Sequence, residues 1–243
     1  MPGYPTNAYS ACGCWEEFTP FGCEGHDAGL PAGPDVAKSD LVKAMSGVGV
    51  PTTRPTVLAG TDGIVRCGWV SEVGTDLTEY HDREWGTPVH DEAELFQSLV
   101  LTYFENGLSW VLVFNKREAL RRAFADFDPA AVAAMTDRDV DRLMKDRTII
   151  RNRAKIEATL HNARLLSVMS LNDIAWYYRP RQRHPLRQWS DGRAQSPESR
   201  QLATELRRRG FRFVGPVVAH SFMQTVGIDN GHFDGCFRAP LAD

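Results

Sequence analysis

The sequence predicts an all-α fold for the larger part of its 243 residues. From Asp91 onward, apolar residues recur at the spacing of one helix face. Residues that favour helix starts precede these segments, and no alternating strand pattern competes with them. We expect residues 63–243 to form a helical domain. We expect the Pro- and Gly-rich residues 1–62 to form a mostly disordered extension.

The first predicted helices each follow a recognisable start signal. Asp91 can cap a helix whose apolar residues at positions 95, 96, 99 and 100 share one face. Ser109 can cap a second helix that ends near residue 122. Asp128-Pro129 places a proline in the first turn of a short third helix, where its missing N–H is tolerated.

The next two predicted helices are separated by a turn at residues 146–148. Thr136 and Asp139 resemble a capping box that opens a helix through Met144. After the turn, apolar residues at helical spacing predict a long helix over about residues 150–169.

The C-terminal part of the chain begins with a basic, turn-rich insertion at residues 179–195. Ser196-Pro197-Glu198 then starts a helix, and Gly210 ends it. Gly215-Pro216 starts the last predicted helix, which ends at Gly227.

Composition excludes few classes of function. The net charge of −3 gives no global basic field for nucleic acid, although a local basic patch is sufficient for binding. Five cysteines are an odd number, and no secretory signal pattern is present, so we expect reduced thiols and a cytoplasmic protein. No apolar run reaches the ~18 residues that span a bilayer, so we expect no membrane association.

Two Cys/His pairs at opposite ends of the predicted domain form a candidate metal site. Cys67 and His81 lie near its start, and His232 and Cys236 lie near its end. Two thiols and two imidazoles are the ligand set of a closed tetrahedral zinc site. The four residues could equally be unconnected, with buried cysteines packing as small hydrophobes. A second string could bind another metal ion: Cys12, Cys14, Cys23 and His26.

Aromatic and basic residues form two further candidate sites. Aromatic faces can stack an extruded base, and four of them occur within residues 69–110, namely Trp69, Tyr80, Trp85 and Trp110. Packing in the core is the alternative. Three basic residues follow the turn at 146–150 and could contact DNA phosphates at a helix start: Arg151, Arg153 and Lys155. A solvated basic edge of two helices is the alternative there.

Seven sequence motifs in fixed order resemble the 3-methyladenine DNA glycosylase I family over about residues 64–238. They are Arg66-Cys-Gly-Trp-Val70, Tyr80-His-Asp-x-Glu-Trp-Gly86, Gly107-Leu-Ser-Trp110, Ile149-Ile-Arg-Asn-Arg-Ala-Lys-Ile156, Arg209-Gly-Phe-Arg-Phe-Val-Gly215, Ser221-Phe-Met-Gln224 and His232-x3-Cys236. The resemblance implies a helix-hairpin-helix fold and hydrolysis of the N-glycosidic bond of alkylated purines, foremost 3-methyladenine, in damaged double-stranded DNA. We expect such a protein to act as a monomer.

The resemblance also implies roles for individual residues. It implies a structural zinc ion held by Cys67, His81, His232 and Cys236. It implies a base pocket containing Trp69, Tyr80 and Trp110.

Three positions depart from the pattern of the family. Thr102 stands where the family carries a glutamate, Leu77 where it carries a tyrosine, and Thr148 where it carries a hairpin glycine. Glu105 follows Thr102 by three residues and shares its helix face, so it can supply the missing charge. Glu105 and Thr102 are therefore the candidate catalytic residues. Two alternatives are a glycosylase fold redirected to another N-glycoside or bulky adduct, and a non-catalytic DNA-binding homologue.

Overall fold

The computed structural model describes residues 55–70, 75–182 and 184–239, without the side chains of residues 75 and 76. Most of the predicted extension, with Cys12, Cys14, Cys23 and His26, lies outside the described residues. The first described element is an antiparallel pair of strands, β1 (Val57–Ala59) and β2 (Val65–Cys67). The all-α prediction is wrong in this detail, because three-residue strands are too short for an alternating pattern to be recognised. β1 lies before residue 63, within the stretch predicted as an extension.

Nine α-helices follow within the described residues. They are α1 (Thr75–Arg83), α2 (Glu92–Phe104), α3 (Trp110–Ala123), α4 (Pro129–Ala133), α5 (Asp137–Lys145), α6 (Arg153–Leu166), α7 (Leu171–Tyr177), α8 (Pro197–Arg208) and α9 (Pro216–Thr225). Their predominance confirms the helical prediction, apart from the small sheet. None of the helices in this part of the chain is long and apolar enough to cross a membrane.

The predicted capping residues start their helices as expected. The Asp91 carboxylate accepts hydrogen bonds from the backbone N–H groups of Ala93 and Glu94, and the Ser109 hydroxyl accepts one from Leu112. These bonds satisfy N–H groups that have no partner within the helix. Gly210 ends α8 with a φ of +97°, a conformation that favours glycine.

The helix that we predicted over residues 150–169 is shorter, because Asn152 caps it by accepting a hydrogen bond from the N–H of Lys155. It therefore runs over Arg153–Leu166. No pattern in the sequence predicted α1 or α7. Both are short, and α1 is rich in charged and polar residues, so neither shows a clear apolar stripe.

Helix α2 lies at the centre of the main hydrophobic core. Its residues Leu95, Phe96, Leu99 and Val100 are fully buried, and the helix packs against α3, α6, α7 and α9. Tyr103, near its C-terminal end, is also fully buried, and its hydroxyl lies 2.7 Å from that of Thr159 on α6. The core therefore fixes the residues that end α2.

A smaller cluster joins the first and last described segments. The N–H of Phe237 donates to the carbonyl of Val65 on β2, at 2.9 Å. The buried side chains of Cys67, Phe233 and Cys236 pack together beside this bond. The sheet and the segment after α9 thus form one local core, apart from the one that surrounds α2.

Candidate functional site

The four predicted metal ligands come together in this smaller core. Cys67 ends β2, His81 lies on α1, and both His232 and Cys236 follow α9. All four side chains are buried, and their ligand atoms lie within 4.8 Å of one another. Of the two readings left open by spacing, the structure favours the common site.

The distances within this cluster fit one tetrahedral ion. His232 Nδ1 lies 3.6 Å from the sulfur of Cys67 and 3.6 Å from the sulfur of Cys236, and Cys236 Sγ lies 3.5 Å from His81 Nε2. Bonds of about 2.3 Å to sulfur and about 2.0 Å to nitrogen at tetrahedral angles put sulfur and nitrogen about 3.5 Å apart. The donor set is therefore arranged for zinc without rearrangement.

Outer hydrogen bonds turn the correct imidazole nitrogens inward. His81 Nδ1 lies 2.8 Å from a carboxylate oxygen of Asp82, and His232 Nε2 lies 3.3 Å from the carbonyl oxygen of Trp85. The opposite nitrogen of each ring therefore faces the thiols, as in histidines that bind metals. Arg66 holds Asp82 through hydrogen bonds of 2.7–3.0 Å. Burial disfavours the ionised form of Asp82, but the bonds from Arg66 and His81 outweigh it and lower its pKa.

The two thiols influence each other's ionisation. A hydrogen bond between Cys67 and Cys236 lowers the pKa of Cys236 and raises the pKa of Cys67. The N–H of Phe233 also donates to the sulfur of Cys67, at 3.4 Å. The bond between the thiols therefore favours the thiolate of Cys236, and the bond from Phe233 favours that of Cys67; the thiolate is the form that binds a metal ion.

The predicted base-stacking residues lie together next to the Cys/His cluster. The ring centroids of Trp69 and Trp110 are 6.0 Å apart, and those of Tyr80 and Trp110 are 5.6 Å apart. Trp69 also contacts His81, with ring centroids 5.3 Å apart, so it connects the two groups. Phe114 stacks on Trp110 at 5.1 Å, and sequence reasoning missed it. It lies one helical turn after Trp110, and that spacing is the signal that could have found it.

Glu105 lies at the C-terminal end of α2, beside this aromatic group. Its side chain is half-buried, and desolvation raises its pKa to about 8. Burial raises the pKa of the Tyr80 hydroxyl well above its usual range, and the nearby charge of Glu105 adds to that effect. A carboxyl group with a strongly raised pKa beside stacked aromatic rings is a candidate catalytic or recognition group.

Thr102 and Leu77, the two residues that differ from the family's pattern in the base pocket, are both buried. Thr102 is 5% exposed, and its hydroxyl donates to the carbonyl oxygen of Ser98 on the same helix, at 2.8 Å. Leu77 is 2% exposed and packs with Tyr80 and Phe114. Thr102 therefore offers at most the lone pairs of its oxygen, whereas Glu105 offers a full charge.

The three predicted DNA-binding residues are not brought together. Arg151 is exposed and makes no ion pair with the described residues. Arg153 is exposed but pairs with Asp141 at 2.6 Å and with Glu157 at 3.5 Å. The charge of Arg151 can therefore contact a phosphate directly, whereas the charge of Arg153 is partly offset by its two carboxylate partners.

Lys155 points into the protein. It is 5% exposed, and its ammonium donates to the carbonyl oxygens of Phe104 at 3.0 Å and of Asn106 at 2.6 Å. Burial lowers the pKa of Lys155. Because these carbonyls flank Glu105, Lys155 fixes the backbone that carries the carboxylate, and its charge is not at the surface.

The turn between α5 and α6 uses its own polar groups. The carboxylate of Asp146 accepts hydrogen bonds from both the N–H and the hydroxyl of Thr148, at 2.8 and 2.6 Å. Thr148 is not among the residues with positive φ, so its backbone does not require glycine. The substitution at this position therefore introduces no backbone strain.

Comparisons with known proteins agree with one another. A family profile described as methyladenine glycosylase matches residues 69–239. DNA-3-methyladenine glycosylase 1 of Escherichia coli strain K12 is 41% identical, over 72% of this chain and 97% of that protein. DNA-3-methyladenine glycosylase of Haemophilus influenzae is 36% identical, over 70% of this chain and 96% of that protein. A crystal structure of 3-methyladenine DNA glycosylase I superposes with a TM-score of 0.68 at 40% identity, covering 72% of this chain and all of that one.

Proposed function

Because the chain belongs to the methyladenine glycosylase family, we propose that it is a base-excision enzyme that hydrolyses the N-glycosidic bond of 3-methyladenine in damaged double-stranded DNA. The activity named for its relatives supports this reaction. One structural observation carries the assignment to a site: Glu105, whose pKa burial raises to about 8, is close enough to Tyr80 for its charge to raise the pKa of that hydroxyl, and Tyr80 contacts Trp110.

The chemistry of the lesion determines what the protein must supply. Methylation at N3 makes adenine cationic, so the bond from N9 to the sugar is weak and the leaving base needs no proton. A water oxygen bonds to C1′ as the bond to N9 breaks, the electron pair returns to the base and neutralises it, and the proton that the water loses passes to solvent. The protein therefore has to extrude the base, hold it and recognise its positive charge.

The aromatic group and Glu105 divide these tasks. Trp69, Tyr80 and Trp110 offer ring faces on which an extruded base can stack. The ionised carboxylate of Glu105 would attract the cationic ring in surroundings of low polarity, where electrostatic interactions are strong. A charge-assisted hydrogen bond of this kind contributes about 1.5–3 kcal/mol, or roughly 10- to 150-fold in rate. Thr102 has a hydroxyl that is already bonded to its own helix, so Glu105 is the better replacement for the family's glutamate.

Lys155 acts on this site as a positioning residue. Its two hydrogen bonds hold the carbonyls on either side of Glu105, and its own charge is buried. A small displacement of a recognition group can lower a rate strongly, so a fixed backbone here matters for excision.

We assign α5, the following turn and α6 to the helix-hairpin-helix element of DNA binding. Arg151 is exposed and makes no ion pair with the described residues, whereas the charge of Arg153 is offset by two carboxylates. Phosphate contacts of this kind position a protein on DNA without reading its sequence.

A zinc ion held by Cys67, His81, His232 and Cys236 would be structural, because four protein ligands leave no open coordination position. It would cross-link β2 and α1 to the segment after α9. The cross-link would also support Trp69, which contacts His81 directly. The unpaired thiols of Cys67 and Cys236 are consistent with the reducing cytoplasm, where we propose that the protein works.

Release of bases from methylated DNA, identified by mass, tests this function. Wild-type protein should release 3-methyladenine, and Glu105→Gln should lower the rate by roughly tenfold or more while DNA affinity is unchanged. Glu118→Gln is the matched control, because that carboxylate is 62% exposed on α3. It should release the base at the wild-type rate.

Other outcomes would select the alternatives. No release of any base from DNA, together with hydrolysis of a free alkylated nucleoside, would show a redirected glycosylase. Salt-dependent DNA binding without release of a base from either substrate would show a non-catalytic homologue.

A further inference from the structure

A large cavity is lined by residues other than Glu105 and the clustered aromatic residues Trp69, Tyr80 and Trp110. It has a volume of about 740 Å³ and is bounded by the end of α7, the basic insertion, the start of α8, α9 and the segment after α9. None of the candidate catalytic, base-pocket or metal-binding residues lines it. The proposed excision reaction therefore gives this space no role.

His220 lines the cavity with a buried nitrogen that lacks a partner. The residue is 5% exposed, and its Nδ1 has no hydrogen-bond partner among the described residues. The ring also makes a hydrogen bond to the backbone of Arg193, and burial lowers the pKa of the imidazole, so the neutral form is favoured. Buried polar atoms without a partner are rare, and Nδ1 of this neutral ring is a free acceptor.

Two carboxylates of the cavity wall add further acceptors. Asp229 Oδ2 lies 3.8 Å from His220 Nδ1, too far for a direct hydrogen bond, and its side chain is 13% exposed. Glu198, in the first turn of α8, is close enough that its charge adds to the effect of burial in raising the pKa of Asp229. His220 Nδ1 and the carboxylate of Asp229, when ionised, thus present two neighbouring acceptors that a ligand with adjacent donors would satisfy.

The mouth of the cavity has a different character. Tyr177 is 83% exposed and packs edge-on against Tyr178, with ring centroids 5.1 Å apart. Three exposed arginines also line the cavity: Arg179, Arg181 and Arg193. Aromatic faces and arginines together favour a ligand with a planar ring and an anionic group.

We propose that this cavity binds a guanine nucleotide. The adjacent N1–H and N2–H groups of guanine face Asp229 and His220 Nδ1, and the phosphate faces the arginines at the mouth. Adenine is disfavoured, because its N1 is an acceptor and would meet the acceptors of the inner wall. A bare metal ion matches the acceptors but gives no use to the arginines or to most of the volume. The nucleotide can be free in solution or part of an unpaired DNA strand, since both present the same groups.

Calorimetric titration of the full chain with GMP, AMP and guanosine tests the proposal. GMP should bind at one site, AMP should bind at least about tenfold more weakly, and guanosine should also be weaker because it lacks the phosphate. A trinucleotide with a central deoxyguanosine separates the sources. Tighter binding than GMP identifies DNA as the source, and weaker binding identifies the free nucleotide. Absence of binding by both, or equal affinity for GMP and AMP, overturns the proposal.

Asp229→Asn should change which nucleotide is preferred, whereas general loss of structure would weaken the binding of both nucleotides. An asparagine offers one donor and one acceptor, so preference should move from GMP toward AMP by about tenfold or more. The exposed Asp173→Asn on α7, outside the cavity lining, should leave the preference unchanged. An unchanged preference in Asp229→Asn overturns the proposal, even if His220→Leu weakens binding. Release of 3-methyladenine should be unaffected by Asp229→Asn, so failure of this site and failure of the proposed excision are distinguishable.

Discussion

The Cys/His cluster contacts Trp69 and Glu105 lies near Tyr80, yet the two regions depend on the sequence in different ways. In the cluster, four side chains of the right chemical type meet in the geometry that a zinc ion requires. Around Glu105, we propose that one carboxylate takes the place of another that is absent, and a buried lysine bonds to the carbonyls on either side of it. A metal site thus depends on which residues are present, whereas a recognition site depends on where the backbone places them.

The difference explains what could be predicted from the sequence. The residues of the Cys/His cluster were identifiable as candidate ligands because only a few residue types bind zinc, whatever elements carry them. Lys155 was grouped with Arg151 and Arg153 because all three follow the same turn. Its burial was recoverable only from helical spacing, since it lies on the face of α6 that carries the buried Thr159. The inward direction of its ammonium depends on the carbonyls at the end of α2, which are distant in sequence.

The helices and strands were also predictable only where the sequence carries a local signal. Strong caps such as Asp91 and Ser109 start their helices where the sequence predicted. Short elements without a pattern, such as β1 and α1, form because the local core around Cys67 and His81 holds them. Their existence is a consequence of tertiary contacts, which periodicity does not report.

The largest expected effect is loss of the metal. Purified protein should hold about one zinc ion, and Cys236→Ala should release it. A structural zinc contributes about 10–16 kcal/mol of binding free energy in small domains. If the variant loses a third of that binding free energy as folding stability, its melting temperature should fall by roughly 10–20 °C. Metal analysis and calorimetry measure both effects. Cys12→Ala is the control, and an equal loss of stability in that variant would contradict the assignment.

The contribution of Lys155 comes next. Lys155→Met removes the two hydrogen bonds that hold the backbone around Glu105, and the rate of base release should fall by roughly 10- to 100-fold. If Lys155 works through Glu105, the double variant Lys155→Met/Glu105→Gln should lose little more than Glu105→Gln alone. Single-turnover rates of the three variants measure this coupling. Fully additive losses would show that Lys155 supports stability and not the carboxylate.

The pH dependence is a smaller effect and follows from Glu105. With a pKa of about 8, only a minority of the free protein is ionised at neutral pH. The value of kcat/KM for 3-methyladenine should therefore rise roughly fivefold from pH 7 to pH 8, rise about twofold more above pH 8, and then level off. Glu105→Gln should abolish the rise. The same shift predicts that stability falls as pH increases from about 4.5 to 8, because the unfolded state loses the proton first. A flat kcat/KM in the wild type would exclude an ionised Glu105 from recognition.

The smallest expected effect separates the two arginines after the turn. Arg151 has no ion pair with the described residues, whereas Arg153 is held by Asp141 and Glu157. Neutralising one phosphate contact lowers the slope of log affinity against log salt by about 0.9. Arg151→Gln should show that decrease with only a modest loss of affinity, and it should do so for any DNA sequence. Arg153→Gln should change the slope less, because its carboxylate partners already offset its charge and would remain to repel the phosphates. Titrations of DNA at several salt concentrations measure both slopes. Equal changes would show that DNA displaces the carboxylates, and the turn would then contact phosphate through both arginines.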